Sequence, residues 1–325
     1  MRALTVHELT PDYRGVALTD SPTPAPGQGE VLLEVRAAAV NFPDILQTRG
    51  EYQHKPPLPF ISGMELAGVV VAVGEGAGAF RAGDEVVGRP ELGGFSDVAI
   101  CKAAEIRLKP ARLSFSEAAA FGAAYLTAYV ALVRRARVEA GEWVLVHGAA
   151  GGVGLACVDM AKAFGCRVIA AASSDAKLAV IADEYAPDAL INVVGGFRDE
   201  VKTLTDGRGA DVIYDPVSGD VFDESVRCIA FEGRLLVVGF TSGRIANVSV
   251  NMPLIKGFSV VGVRAGEYGR RFPDRGAQDR DVIWRMAAEG RLRPRVHREH
   301  PLADWRAAFD SLTDRTVIGK AVITP

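Results

Sequence analysis

The chain has 325 residues, with 37 Lys and Arg against 40 Asp and Glu, giving a net charge of -3 and a pI near 6.0. That balance leaves no basic excess for nucleic acid or anionic lipid, and arginines crowded into the last third, such as Arg270, Arg271 and Arg293, read as solvated surface. The length suits two domains with a large core.

The N-terminus lacks the apolar segment of a signal peptide, and no stretch reads as a membrane span, so the expectation is a cytoplasmic protein without a membrane partner. Cys101, Cys157, Cys166 and Cys228 are scattered, with neither a CxxC pair nor a nearby His. Structural thiols are therefore expected rather than disulfides or a zinc cluster.

Along residues 1–122, short β-type runs at 31–35, 68–73, 85–87 and 96–100 alternate with turns such as PTPAPGQGE (22–30) and KPPLPF (55–60), where proline removes a backbone donor. This predicts an irregular, mainly β domain. Over 123–263 the rhythm becomes apolar strands separated by helix-length segments, with strands expected at 143–147, 167–172, 189–193, 211–215, 234–239 and 258–263. Six strands with right-handed crossovers predict an α/β fold, a doubly wound parallel sheet of Rossmann type. From 264 to 325 two helical stretches, 280–289 and 302–312, and a closing strand, 320–323, are too little to fold alone and are expected to complete the first domain.

Between the first strand and its helix stands HGAAGGVG (147–154). A dinucleotide pyrophosphate must approach backbone amides at a helix N-terminus, where free N–H groups and the macrodipole favour an anion. The turn fits as AxGxxG: Ala149 takes the first glycine's place, Gly151 permits close approach, and Gly154 would let helix and strand pack closely. The next strand ends AAASSDAK, where an acid at the tip would bind a ribose 2′-hydroxyl; two serines come first, and Asp175 beyond them counts the other way. Ser173 and Lys177 suit a 2′-phosphate and favour NADPH; the alternative is that Ser174 is only an N-cap and Lys177 a solvated helix residue.

These residues, with NFPD (41–44), GMELAGVV (63–70), YLTAY (125–129), YDPVSGDVF (214–222), GRLLVVGFTSG (233–243) and GKAVI (319–323), resemble the zinc-free NADPH:quinone oxidoreductases, the zeta-crystallin-like branch of the medium-chain dehydrogenases/reductases. The resemblance runs over nearly the whole chain. It implies a GroES-like catalytic domain at 1–122 completed by 264–325, and a Rossmann domain at 123–263. The positions where zinc-dependent relatives hold catalytic zinc match Asn41, Met64 and Ala123, none a competent ligand. A short loop, 89–95, replaces their structural zinc lobe. Without a Lewis acid the acceptor must already be electrophilic, which points to quinones, with conjugated enones or alkenals as the alternative. A third reading is an NADPH-binding protein without catalysis.

The resemblance further implies that Thr127 contacts the nicotinamide carboxamide, that Ala150, Gly151, Gly152 and Val153 face the pyrophosphate, that Phe240, Thr241 and Val263 flank the nicotinamide and its ribose, and that Arg315 reaches the cofactor from the returning tail. Asn41 and Tyr52 would line the acceptor pocket. Catalysis would then rest on positioning, with Asn41, Tyr52 and Thr127 as the polar groups nearest the chemistry and water as the final proton source. His147 is expected to be structural. A homodimer pairing the last apolar strand, GFSVVGV (257–263), edge to edge is also implied.

Overall fold

The computed structural model describes residues 1–78 and 80–325. They form two compact units, Met1–Gly122 with Pro294–Pro325, and Ala123–Arg293. Each has its own sheet and core.

Among the described residues, the first unit holds a mixed sheet running Val296–Pro301, Lys320–Thr324, Glu30–Ala39, Leu66–Val73, Glu85–Gly88 and Ile106–Leu108, with Val98–Lys102 paired to the central Glu30–Ala39 strand. A smaller sheet joins Val16–Asp20, Arg2–Val6 and Phe60–Ile61. Leu33, Leu66, Phe95 and Phe309 are among its fully buried side chains. The returning tail is thus built into the sheet: Lys320–Thr324 pairs with Glu30–Ala39 on one side and Val296–Pro301 on the other. NFPD, to which the sequence assigns no element of its own, opens a helix, Phe42–Thr48, with Pro43 in its first turn, where a missing N–H costs nothing.

The second unit carries a parallel sheet of β1 (Trp143–Val146), β2 (Arg167–Ala172), β3 (Ala189–Asn192), β4 (Ala210–Asp215), β5 (Ile229–Val237) and β6 (Ser259–Gly262). Their spatial order among the described residues is β3-β2-β1-β4-β5-β6, every pair parallel. This is the doubly wound order in which the strand sequence reverses between β1 and β4, so a ligand crevice is expected beyond the C-terminal ends there. β1 and β2 are buried almost throughout, which is why they read as continuous apolar runs.

Two expectations need correction. The chain returns to the first unit at Pro294, not at 264. Residues 264–293 stay in the second unit because they form two helices, Ala265–Arg271 and Pro273–Ala288, and the second places the fully buried Asp279 carboxylate 2.6 Å from the Arg134 guanidinium. Second, one helical stretch, Phe115–Ala136, is long and apolar enough to cross a membrane by length and composition. Most of its apolar window is buried inside the fold, the pattern of a core helix, and its last turns, Val130–Ala136, are π-helical.

Candidate active site

After β1 the backbone turns on Gly148, whose φ of +54° lies in the left-handed region. His147 N–H donates to the Tyr214 carbonyl and Ala149 N–H to the Ala171 carbonyl, pinning the turn to β4 and β2. Ala150 is buried, Gly151 takes the N-cap position, and Gly152 and Val153 open the helix Gly152–Ala163, whose first turn no side chain caps. A Cβ on Gly154 would sit 2.2 Å from the Gly148 carbonyl oxygen, whereas one on Gly151 would meet that atom at an ordinary 3.4 Å. Gly154 is therefore required by helix-to-turn packing, and Gly151 keeps open the space in front of the amides. Such a helix end is a ready anion site.

Parallel strands bring the other predicted residues of this unit to the same edge of the sheet. Ser173 follows β2 and is exposed, while Ser174 accepts from the Lys177 backbone N–H and caps the helix Asp175–Tyr185. Asp175, the nearest acid, accepts from Asn192 at the end of β3 at 2.7 Å. Beyond β5, Phe240 is half exposed, and Thr241 donates to the Pro216 carbonyl through both its backbone N–H and its hydroxyl. Val263, just past β6, donates to the Val237 carbonyl. Thr127 lies within the helix Phe115–Tyr129, its hydroxyl turned back to the Ala123 carbonyl at 2.8 Å. Two further groups stiffen this edge. Buried Asp215 accepts from the amides of Val217 and Ser218, and His147 contacts the Ser225 hydroxyl at 2.9 Å with its ring buried against Phe197. Burial holds the His147 imidazole down at about 3, so it is a neutral structural ring at working pH.

In the first unit Asn41 stands at a convergence of charges that motif reading misses. Its backbone N–H donates to Asp44 Oδ2 at 2.7 Å, its amide Oδ1 accepts from Lys320 Nζ at 2.6 Å, and its Nδ2 lies 3.3 Å from both the Ala39 carbonyl and Glu65 Oε2. Lys320 also donates to the Val40 carbonyl at 2.9 Å and sits 3.9 Å from Glu65. Asp44 is wholly buried, Glu65 nearly so. Burial, against the pull of the Asn41 N–H and Lys320, pushes the Asp44 carboxyl up to about 7.

Tyr52 is half-buried on the loop after Phe42–Thr48, and His54 is exposed, 3.9 Å from Glu91. Arg315 is exposed just past the helix Trp305–Thr313, with a left-handed φ of +57°. The loop 89–95 is pinned along 61–63 by the amides of Gly93, Gly94 and Phe95. These side chains belong to the first unit, whereas Thr127, Ala150 to Val153, Ser173, Lys177, Phe240, Thr241 and Val263 belong to the second.

A doubly wound sheet with an uncapped glycine turn, preceded by a mainly β unit that the chain re-enters at its end, defines a two-unit dinucleotide oxidoreductase. Comparison with known proteins sharpens the class. Residues 27–136 match the alcohol dehydrogenase GroES-like domain and residues 152–277 the zinc-binding dehydrogenase family. A quinone oxidoreductase-like protein 2 homologue of Nematostella vectensis is 36% identical over 91% of this chain and 82% of its own length. A probable oxidoreductase of Mycobacterium abscessus superposes with a TM-score of 0.89 at 36% identity, covering 100% of this chain and 99% of that one. The Escherichia coli quinone oxidoreductase, solved in complex with NADPH, gives 0.89 at 28% identity over 100% of both chains. The chain belongs to the zinc-free quinone oxidoreductase branch of the medium-chain dehydrogenase/reductase superfamily.

The zinc implied by one family description does not fit the residues present. Among the described residues no three His, Cys, Asp or Glu side chains gather as a metal site. Of the positions matching zinc ligands, Asn41 has its amide oxygen on an ammonium, Met64 offers a thioether, and Ala123 has no donor.

Proposed function

We propose that this protein is an NADPH-dependent, zinc-independent reductase that transfers hydride to quinones. The observation that carries the reading is the uncapped turn of 150–153 at the C-terminal edge of a parallel sheet, followed at the next strand by Ser173 and Lys177 with the neighbouring acid already engaged by Asn192. NADPH, when bound, supplies the hydride. The amides of Gly152 and Val153 would receive its pyrophosphate across the open face of Gly151, whose own N–H donates to the Gly148 carbonyl, Ser173 and Lys177 its 2′-phosphate, and Thr127, Phe240, Thr241 and Val263 would set the nicotinamide end, with Arg315 adding a cation. Asn41 and Tyr52 would face the acceptor oxygen as neutral donors. The quinol oxyanion is stable enough to wait for water, so the residues need to orient and exclude rather than transfer a proton.

The same reading puts the enzyme in the cytoplasm, in keeping with four free, buried cysteines, and makes it a homodimer. β6 is an edge strand, and Phe231, Val250, Leu254 and Ile255 leave an apolar surface exposed in the same unit, features that suit a self-complementary partner. An acceptor screen under NADPH oxidation, covering quinones, alkenals and simple ketones, tests the function. Quinone turnover unaffected by chelators is expected. Selective reduction of alkenals would assign the chain to double-bond reduction, and NADPH binding without any turnover would make it a binding protein.

A further inference from the structure

Lys320 brings a charge to Asn41, one of the two first-unit groups that the proposed function puts at the acceptor. Its three donors are matched by the Val40 carbonyl at 2.9 Å, Asn41 Oδ1 at 2.6 Å and, at ion-pair distance, Glu65 at 3.9 Å. That is the coordination of an ammonium, since a lysine head carries three donors and accepts nothing while charged. Burial pulls its ionisation below the ordinary lysine value, and the Glu65 and Asp44 carboxylates work against that pull. A buried charge so placed is costly unless paired, and both acids belong to the same cluster.

The contact fixes Asn41 chemically. A donor-only neighbour dictates which end of the amide is oxygen, so Oδ1 is committed to Lys320 and a ligand must be met by the N–H end, in exchange for one of its two internal contacts. The internal contacts of that end, both at 3.3 Å, are long. An ammonium on the oxygen of a conjugated amide also withdraws charge from its nitrogen, and a hydrogen bond polarised in this way donates more strongly.

We infer that Lys320 is a positioning residue for acceptor reduction, acting through Asn41: its ammonium orients and polarises the amide so that the Nδ2–H can stabilise the negative charge developing on the acceptor oxygen. This rests on the reading that Asn41 faces the acceptor. In the step concerned, a hydride with its two electrons leaves the reduced nicotinamide and joins the acceptor, the acceptor oxygen becomes anionic, and solvent protonates it afterwards. Lys320 keeps its protons throughout. The arrangement puts a fixed cation one amide away from the oxygen, in a chain whose residues do not fit a metal that could sit on it directly.

The test is a double-mutant cycle on the full-length protein. Lys320→Met should lower kcat about ten-fold with quinones, with more loss for weakly electrophilic quinones, while the KM for NADPH stays within about two-fold; Lys320→Arg should restore most of it. In an Asn41→Ala background the same Lys320→Met change should cost less than about two-fold. Lys320→Met with Glu65→Gln removes both opposed charges and guards against a variant that fails merely because an acid is left unpaired. A second readout needs no turnover: 4-nitrophenol added to the NADP⁺-loaded enzyme should ionise at lower pH when bound than when free, and Lys320→Met should abolish the difference.

Equal losses with and without Asn41, a fall in melting temperature with kcat unchanged, or a nitrophenol that does not bind or titrates as in water would each overturn the inference. Failure of the wild type to oxidise NADPH with any quinone would instead defeat the proposed function, and the nitrophenol titration would still decide on Lys320.

Discussion

The glycine turn after β1 and the charged cluster around Asn41 are opposite ways of building a site. The turn is made by leaving side chains out: no side chain caps the first turn of its helix, and its shape holds because Gly154 allows helix and turn to touch. The Asn41 cluster is made by bringing side chains in, from residues 41, 44, 65 and 320, and burying their charges together. A site of missing atoms is robust to everything except adding one. A site of opposed charges depends on every member, and on pH.

The sharpest way to break the first half of this comparison is Gly154→Val. The new Cβ would meet the Gly148 oxygen at 2.2 Å and Ala149 Cα at 3.0 Å, and both contacts are backbone with no rotamer to yield. A destabilisation above about 4 kcal/mol is expected, read by thermal or denaturant unfolding. Gly151→Ala is the control. Its Cβ has an ordinary 3.4 Å contact, so stability should change by less than about 1 kcal/mol while NADPH affinity falls about ten-fold or more. Equal stability loss in both variants would show that the turn is simply tight rather than kept open for a ligand.

For the charged cluster, pH is the lever, and Asp44 is the group to follow. Its folded-state value of about 7 lies above the ordinary 3.8, so between those limits the native chain binds the proton that the unfolded chain has released. Stability from this group is therefore full below about pH 4, declines as pH rises through 7, and is flat above, a span on the order of 4 kcal/mol. Asp44→Asn should flatten the unfolding free energy across that window. His147 runs the other way: held at about 3 against an ordinary 6.5, it costs stability as pH falls below 6.5. The two oppose each other, so the single variants, followed by urea unfolding from pH 4 to 8, are needed to separate them. An Asp44→Asn profile parallel to wild type would mean that the carboxylate is not the titrating member.

The same contrast explains what the sequence made legible. β1, β2 and β4 could be located to within a residue or so because parallel strands buried on both faces are largely apolar runs; the edge strand β3, with only Ile191 buried, was legible from its spacing, and HGAAGGVG could be read because the pattern lies in local backbone. The helix Ala265–Arg271 was not legible: AGEYGRR has two glycines and only one fully buried residue, and its helicity comes from packing on the helix Pro273–Ala288. Lys320 stood in plain view in GKAVI as part of a closing strand. Its role is set by a partner 279 residues away, a distance no periodicity spans. Asn192 escaped for a milder form of the same reason, since its partner Asp175 opens the preceding helix, 17 residues back.

Lys177 tests whether the backbone-made site needs a side chain at all. Lys177→Ala should raise the KM for NADPH about ten-fold or more and leave that for NADH nearly unchanged, because a charge-assisted contact to phosphate contributes about 1.5 to 3 kcal/mol. Its backbone N–H bond to Ser174 survives the substitution, so the helix start stays capped. Equal losses with both cofactors would remove Lys177 from the 2′-phosphate and leave Ser173 as the discriminating group.

The smallest effect is expected at Tyr52, which the proposed function puts beside the acceptor with Asn41 but which lacks Asn41's buried support. It is half-buried on the loop after the helix Phe42–Thr48, in GEYQHKPP, where Gly50 with its φ of +72° turns the chain and two prolines stiffen the far end of the loop. If its hydroxyl only orients the acceptor, Tyr52→Phe removes one neutral hydrogen bond, about 0.5 to 1.5 kcal/mol, and kcat/KM should fall roughly two- to ten-fold. An obligatory proton donor would instead cost roughly 100-fold or more. Quinones should show the small effect, because their oxyanion waits for water and is already met by the amide that Lys320 holds. Enones, whose enolate needs a proton at carbon, should show a larger one. Measuring both acceptors with the same variant separates orientation from proton transfer, and combining Tyr52→Phe with Lys320→Met asks whether the two donors share one oxygen. Losses that multiply would mean independent contacts; losses that exceed the product would mean that each donor covers for the other when one is gone.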